Sequence, residues 1–116
     1  MDERLKAALE SANFMITFNN QKELIKQTYK ENCLHHENGH RFTVNKELLN
    51  FLSSLISRGY TEDIVVLDDA ETPYMISDVQ TFLDKIFDIY FTSTNQYYNE
   101  FLRLKSSRSV SKIVGV

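Results

Sequence analysis

The chain has 116 residues, of which 42% are hydrophobic and 25% charged, and its formal net charge is −3. That length leaves no room for a second substantial domain, and that composition excludes a globally disordered chain. One cysteine excludes an internal disulfide, no apolar run approaches the roughly 20 residues of a bilayer span, and the charged start Met1-Asp2-Glu3-Arg4 lacks a signal core; a cytoplasmic protein without a membrane partner is expected.

Residues 3–32 read as one long helix, since good helix formers dominate and neither Gly nor Pro interrupts. Leu5, Leu9, Ala12 and Ile16 form one apolar stripe at helical spacing, and Phe14, Phe18, Ile25 and Tyr29 form a second, displaced one. Asn20 with Glu23 matches a capping box, so the helix is expected to be bent or weakened at Asn19-Asn20.

Residues 33–44 read as a hairpin around Asn38-Gly39, a pair that accepts the positive φ of a type I′ turn. A two-residue turn there sets Glu37 opposite His40 and His35 opposite Phe42. Asn45 caps a helix over 46–58 with Leu48, Phe51, Leu52, Leu55 and Ile56 facing inward, and Gly59 stops it. Ile64-Val65-Val66-Leu67 reads as a buried strand, residues 68–72 as a turn, and Pro73 to Ile76 as an edge strand. Ser77 and Gln80 form a capping box for a helix from 78 to about Lys105. Leu83, Tyr90, Tyr97 and Leu104 repeat every seven residues along it, beside Phe87, Phe91, Tyr98 and Phe101, a face wide enough for more than one neighbour.

The expected fold is α+β: long antiparallel N- and C-terminal helices, a small antiparallel sheet and one middle helix, within a single domain over 1–105. Residues 106–116 read as a flexible basic tail.

Five residues, Cys33, His35, His36, Glu37 and His40, form the one dense group of ligand types. Strand alternation puts Cys33, His35, Glu37 and His40 on one face, a candidate zinc set, although the spacing matches no standard zinc motif. The preferred reading is a polar hairpin with solvated histidines, no stoichiometric metal and no cofactor. Removal of His35 or His40 would then leave stability nearly unchanged. Residues 61–88 hold eight acids against Lys85 alone. Among them Asp68, Asp69 and Glu71 lack the spacing of a calcium loop and read as a solvated turn. The three glycines are isolated, so no phosphate loop exists, and no serine sits in a nucleophile elbow. An enzyme is not indicated.

The surfaces suited to a protein partner are the tail, through Arg108, Lys112, Ile113 and Val114, and the aromatic end of the last helix, through Tyr97, Tyr98 and Phe101. A homo-oligomer would use the same aromatics. The four cations Arg103, Lys105, Arg108 and Lys112 on an acidic chain give only weak, salt-sensitive contact with phosphates, which disfavours nucleic acid.

The opening Met1-Asp2-Glu3-Arg4-Leu5-Lys6-Ala7-Ala8-Leu9, the Asn38-Gly39 turn leading into Phe42-Thr43-Val44, and the stretch Leu104-Lys105-Ser106-Ser107-Arg108-Ser109-Val110 resemble small proteins encoded by T-even-like tailed phages of marine cyanobacteria, over nearly the whole chain. The resemblance implies a non-enzymatic virion-assembly or prohead core accessory factor. It would meet phage structural proteins in the host cytoplasm or associate with the virion. Prohead core proteins of such phages are cut after Glu in a Leu-or-Ile, any residue, Glu pattern. No glutamate of this sequence has Leu or Ile two positions before it, which counts against a consumed scaffold. Two other readings are a small regulator binding a host or phage enzyme through the acidic surface of residues 61–88, and a metal-binding protein using the histidine hairpin.

Overall fold

A computed structural model describes the backbone of residues 2–114 and the side chains of residues 2–106. The elements are α1 (Glu3–Asn32), β1 (Leu34–Glu37), β2 (His40–Thr43), α2 (Lys46–Ser57), β3 (Glu62–Leu67), β4 (Pro73–Asp78) and α3 (Val79–Val114). They form the α+β arrangement read from the sequence, with long helices at both ends. Contacts divide the chain into two compact units, one of Lys30–Asn95 and one of Met1–Tyr29 with Gln96–Val116. Both long helices contribute to each unit.

The first, or hairpin unit, is built on two antiparallel pairs, β1–β2 and β3–β4, rather than the one sheet expected. At the first turn Asn38 has φ 49° and Gly39 φ 80°, the paired left-handed residues of a type I′ turn. The register follows from it: Glu37 faces His40 and His35 faces Phe42. The Asn45 side chain accepts from the Leu48 amide at 2.8 Å and starts α2. At its end Gly59, with φ 86°, lets the Tyr60 amide reach the Leu55 carbonyl at 2.9 Å. In β3–β4, Ile64 faces Ile76 and Leu67 faces Pro73. The strand β4 runs to Asp78, two residues beyond the expected end. The Asp78 carboxylate, in place of Ser77, then accepts from the Thr81 amide (3.3 Å) and hydroxyl (2.7 Å) to open α3.

The core of this unit combines Phe42, Val44, Leu49, Leu52, Val66, Ile76, Val79, Phe82, Leu83 and Ile86, all buried. Phe42 and Phe82 meet edge to face, with ring centroids 5.2 Å apart. Ser93 of α3 is buried and donates to the Asn32 carbonyl at 3.2 Å, satisfying the last turn of α1.

The second, or two-helix unit, pairs the N-terminal part of α1 with the C-terminal part of α3, antiparallel. Tyr29 lies against Tyr97, ring centroids 4.8 Å apart, while Gln21 and Leu24 line a groove with Arg103 and Leu104. Phe18 and Leu104 are buried between them. The stripe Phe14, Phe18, Ile25 and Tyr29 is the covered one; Leu5, Leu9 and Ile16 of the other stripe are exposed. The helix α1 is continuous through Asn19-Asn20. Residues 106–114 are helical in α3, where a tail from 106 had been expected. Ser, Arg, Lys and Val all tolerate helix, and no Gly or Pro falls between Val79 and Val114.

Leu83→Ala and Ile86→Ala should each cost about 2–5 kcal/mol in a denaturant titration, as at filled core sites. Met75→Ala, on the exposed side of β4, should stay within about 0.5 kcal/mol.

Candidate functional site

The polar side chains of the hairpin unit converge where β1–β2, the turn of residues 68–72 and the start of α3 meet. Alternation along β1 and β2 turns His35, Glu37, His40 and Phe42 inward, while His36 and Arg41 stay exposed. This is the face predicted from the sequence, but it is covered. Only 13% of the His35 side chain and 19% of that of His40 reach solvent, so these two histidines, unlike His36, are not solvated as expected. His35 sits edge-on to Phe82 and His40 stacks on Tyr74, with centroids 5.5 and 4.5 Å apart.

His40 Nδ1 lies 2.7 Å from Asp68 Oδ2. An ionised carboxylate only accepts, so this contact places a proton on Nδ1. Asp68 also accepts from the amides of Ala70 and Thr72 at 2.9 and 2.8 Å. The Thr72 amide and then His40 hold its carboxyl below the ordinary range. Glu37 accepts from the Tyr74 hydroxyl at 2.6 Å and from Lys85 Nζ at 3.0 Å, with His35 Nε2 at 3.4 Å. Burial pushes its carboxyl up, but Tyr74, Lys85 and His35 outweigh that and hold it below the usual value. The same bond to Glu37, followed by burial, raises the Tyr74 phenol. Asn38 donates to the Tyr74 oxygen at 2.9 Å. Beside this chain of contacts lies a cavity of about 90 Å³ between Glu37, Tyr74, Asp78 and Lys85. That is below the several hundred cubic ångströms of ordinary ligand sites.

Asp69 ties the second turn to β2. Its carboxylate accepts from the Thr43 amide at 2.9 Å, the Thr43 hydroxyl at 2.7 Å and Arg41 Nε at 3.2 Å. Burial raises its carboxyl, yet the two Thr43 bonds and Arg41 more than offset this, so it titrates low. The turn expected to be solvated is therefore the joint between the two hairpins.

Of the four metal candidates, Cys33 is a buried free thiol, while His35, Glu37 and His40 are engaged as described. Among the described residues no three His, Cys, Asp or Glu side chains gather as a metal site. Of the acidic surface, Glu62, Asp63, Asp69, Glu71, Asp78, Asp84 and Asp88 are exposed, Asp69 while bonded to Thr43 and Arg41, and Asp68 is half-buried against His40. No helix among the described residues is long and apolar enough to cross a membrane.

The aromatic partner candidates lie in the two-helix unit. Tyr97 packs on Tyr29, Tyr98 is 63% exposed, and Phe101 is half-buried with Lys105 Nζ 5.8 Å from its ring centroid. The side chains of Arg108, Lys112, Ile113 and Val114 lie outside the described residues. Sequence reasoning missed Leu24, which is 65% exposed beside a groove of about 380 Å³ that Arg103 and Leu104 also line. Its place at i+8 from Ile16 was the available signal. Comparison with family models, with curated proteins and with solved structures finds no match.

His40→Ala and Tyr74→Phe should each destabilise by about 1–3 kcal/mol, because each strips a partner from a carboxylate; His36→Ala, on the exposed face, should be neutral.

Asp68, Asp69 and Glu37 titrate low when folded. Their stabilisation is thus complete above the ordinary carboxylate values near 4 and lost as pH falls through the depressed folded values. The melting temperature should drop steeply on acidification through that window, and Asp69→Asn should flatten the drop in thermal melts across pH.

Proposed function

We propose that the protein is a non-enzymatic protein-interaction module and that its two-helix unit makes the contact. The observation that carries this reading is the apolar exposure of that unit: Leu5, Leu9, Ile16, Leu24, Tyr98 and Leu102 all face solvent. Against them, among the described residues of the unit, stand Phe18 and Leu104 as the buried apolar side chains. Exposed apolar area on this scale, rimmed by charged residues, marks association surfaces. In the hairpin unit the chemistry-bearing side chains serve each other: His40 holds Asp68, and Tyr74 with Lys85 holds Glu37. That engagement supports a structural role for the histidine hairpin. The resemblance to small proteins of T-even-like cyanobacterial phages supports virion assembly as the setting, with phage structural proteins as partners.

Full-length protein should retain a specific protein from phage-infected host extract, and Leu24→Ser with Tyr98→Ser should lower its recovery about tenfold, as loss of central anchors does. Undiminished recovery by the doubly substituted protein, or cross-links that map to the hairpin unit, would move the contact elsewhere.

A further inference from the structure

The two sides of the helix pair differ in charge. About 100° separates successive residues on a helix, so the groove residues Gln21 and Leu24 of α1, and Glu100 and Arg103 of α3, mark one side of the pair. Turning the other way from the contact line brings Met15, Lys22 and Lys26 of α1 and Tyr98, Leu102 and Lys105 of α3 to the opposite side. In antiparallel helices the same sense of rotation leads to the same side. All six are exposed. The groove side mixes Glu100 with Arg103, and Glu3 and Glu10 fall toward it by the same count. Glu23 of α1 and Leu102 of α3 turn equally far from the contact line and lie at the outer rim of this side. The Lys22 side thus sets Lys22, Lys26 and Lys105 around Met15 and Tyr98, with Glu23 and Leu102 at its rim, and Lys105 is steadied over the Phe101 ring.

We propose that this side docks an acidic amphipathic helix of a partner protein, which lies along the pair as the third helix of a bundle. The inference rests on the interaction reading above and names the chemistry of the partner. An antiparallel pair has a furrow on each side, and a third helix seated in one buries its apolar stripe against Met15, Tyr98 and Leu102. Carboxylates flanking that stripe then meet Lys22, Lys26 and Lys105 at contact range. A phosphate polymer would satisfy the lysines but leave Met15 and Leu102 without apolar cover. A short acidic helix gains from both kinds of group.

The test is a titration of the full-length protein with three synthetic peptides of about 18 residues, five helical turns. One has Leu at the a and d positions and Glu elsewhere; one has that composition shuffled out of period; one has Lys in place of Glu. The patterned Leu–Glu peptide should bind at least about tenfold more tightly than the shuffled one. Lys22→Glu with Lys26→Glu should weaken it by about tenfold or more and transfer preference to the Leu–Lys peptide, with helicity unchanged by circular dichroism. His36→Ala, on the exposed face of the hairpin unit, should leave the affinity as it was. Equal binding of the shuffled peptide, or indifference to the Lys22 and Lys26 reversals, overturns the proposal. So does tighter, Lys22-dependent binding of anionic vesicles or single-stranded oligonucleotide, which would make this a phosphate surface. If the Leu24 and Tyr98 substitutions abolish partner recovery while the lysine reversals change nothing, the interaction reading stands and this inference alone falls.

Discussion

Two antiparallel hairpins that share no strand pairing are tied at the edge of β2 by a two-residue acidic turn. Asp69 receives the Thr43 amide, the Thr43 hydroxyl and Arg41, and its own amide donates to the Arg41 carbonyl at 2.9 Å. Asp68 receives His40 together with two amides of its own turn. A carboxylate suits this joint because it accepts through two oxygens and several lone pairs, so one side chain closes both the edge of β2 and the turn. An isolated two-stranded hairpin is marginal in water. Once joined, the two hairpins share a ring cluster: Tyr74 from β4 lies between His40 and Phe42, and Phe42 in turn meets Phe82 of α3. The start of α3 is fixed by the same arrangement, since Lys85 reaches Glu37.

What the sequence discloses and what it hides divide along sequence distance. The Asn38-Gly39 turn, its register, the Asn45 cap and the Gly59 stop depend on neighbours a few residues apart, and each was legible. The pairs His40 with Asp68 and Glu37 with Tyr74 span 28 and 37 residues, and no periodicity carries them. An acidic turn between two strands looks solvated until the other hairpin is set beside it. The error at the start of α3 has the same origin. Ser77 is a good cap by pattern, but β4 pairs as far as Asp78 opposite Glu62, so the cap moves one residue on.

The helix pair shows a different limit. Residues 3–32 offer two apolar stripes, and composition alone does not say which is covered; contact with Tyr97 selects the stripe that ends at Tyr29. A long helix with two usable faces on one partner leaves the other face exposed. The aromatic stripe of α3 divides likewise, Tyr97 inward and Tyr98 outward. Sequence reasoning grouped the two as one patch because adjacent residues on a helix are only about 100° apart.

The net charge of −3 conceals a division between the units. Residues 30–95 carry eleven acids and five Lys or Arg, whereas residues 1–29 with 96–116 carry five acids and eight Lys or Arg. The same imbalance has opposite consequences in the two places. In the hairpin unit much of the acid is structural: Asp68, Asp69, Asp78 and Glu37 cap, join or brace, so their charge is bound up in the fold. In the two-helix unit Lys22, Lys26 and Lys105 lie exposed on one side of the pair. A charge that holds the fold is costly to redirect toward a partner, because breaking its contacts leaves both groups unsatisfied. An exposed lysine beside exposed apolar groups can change partners at little cost. The contact proposed for the helix pair therefore asks less of the fold than one through the acids of the hairpin unit would.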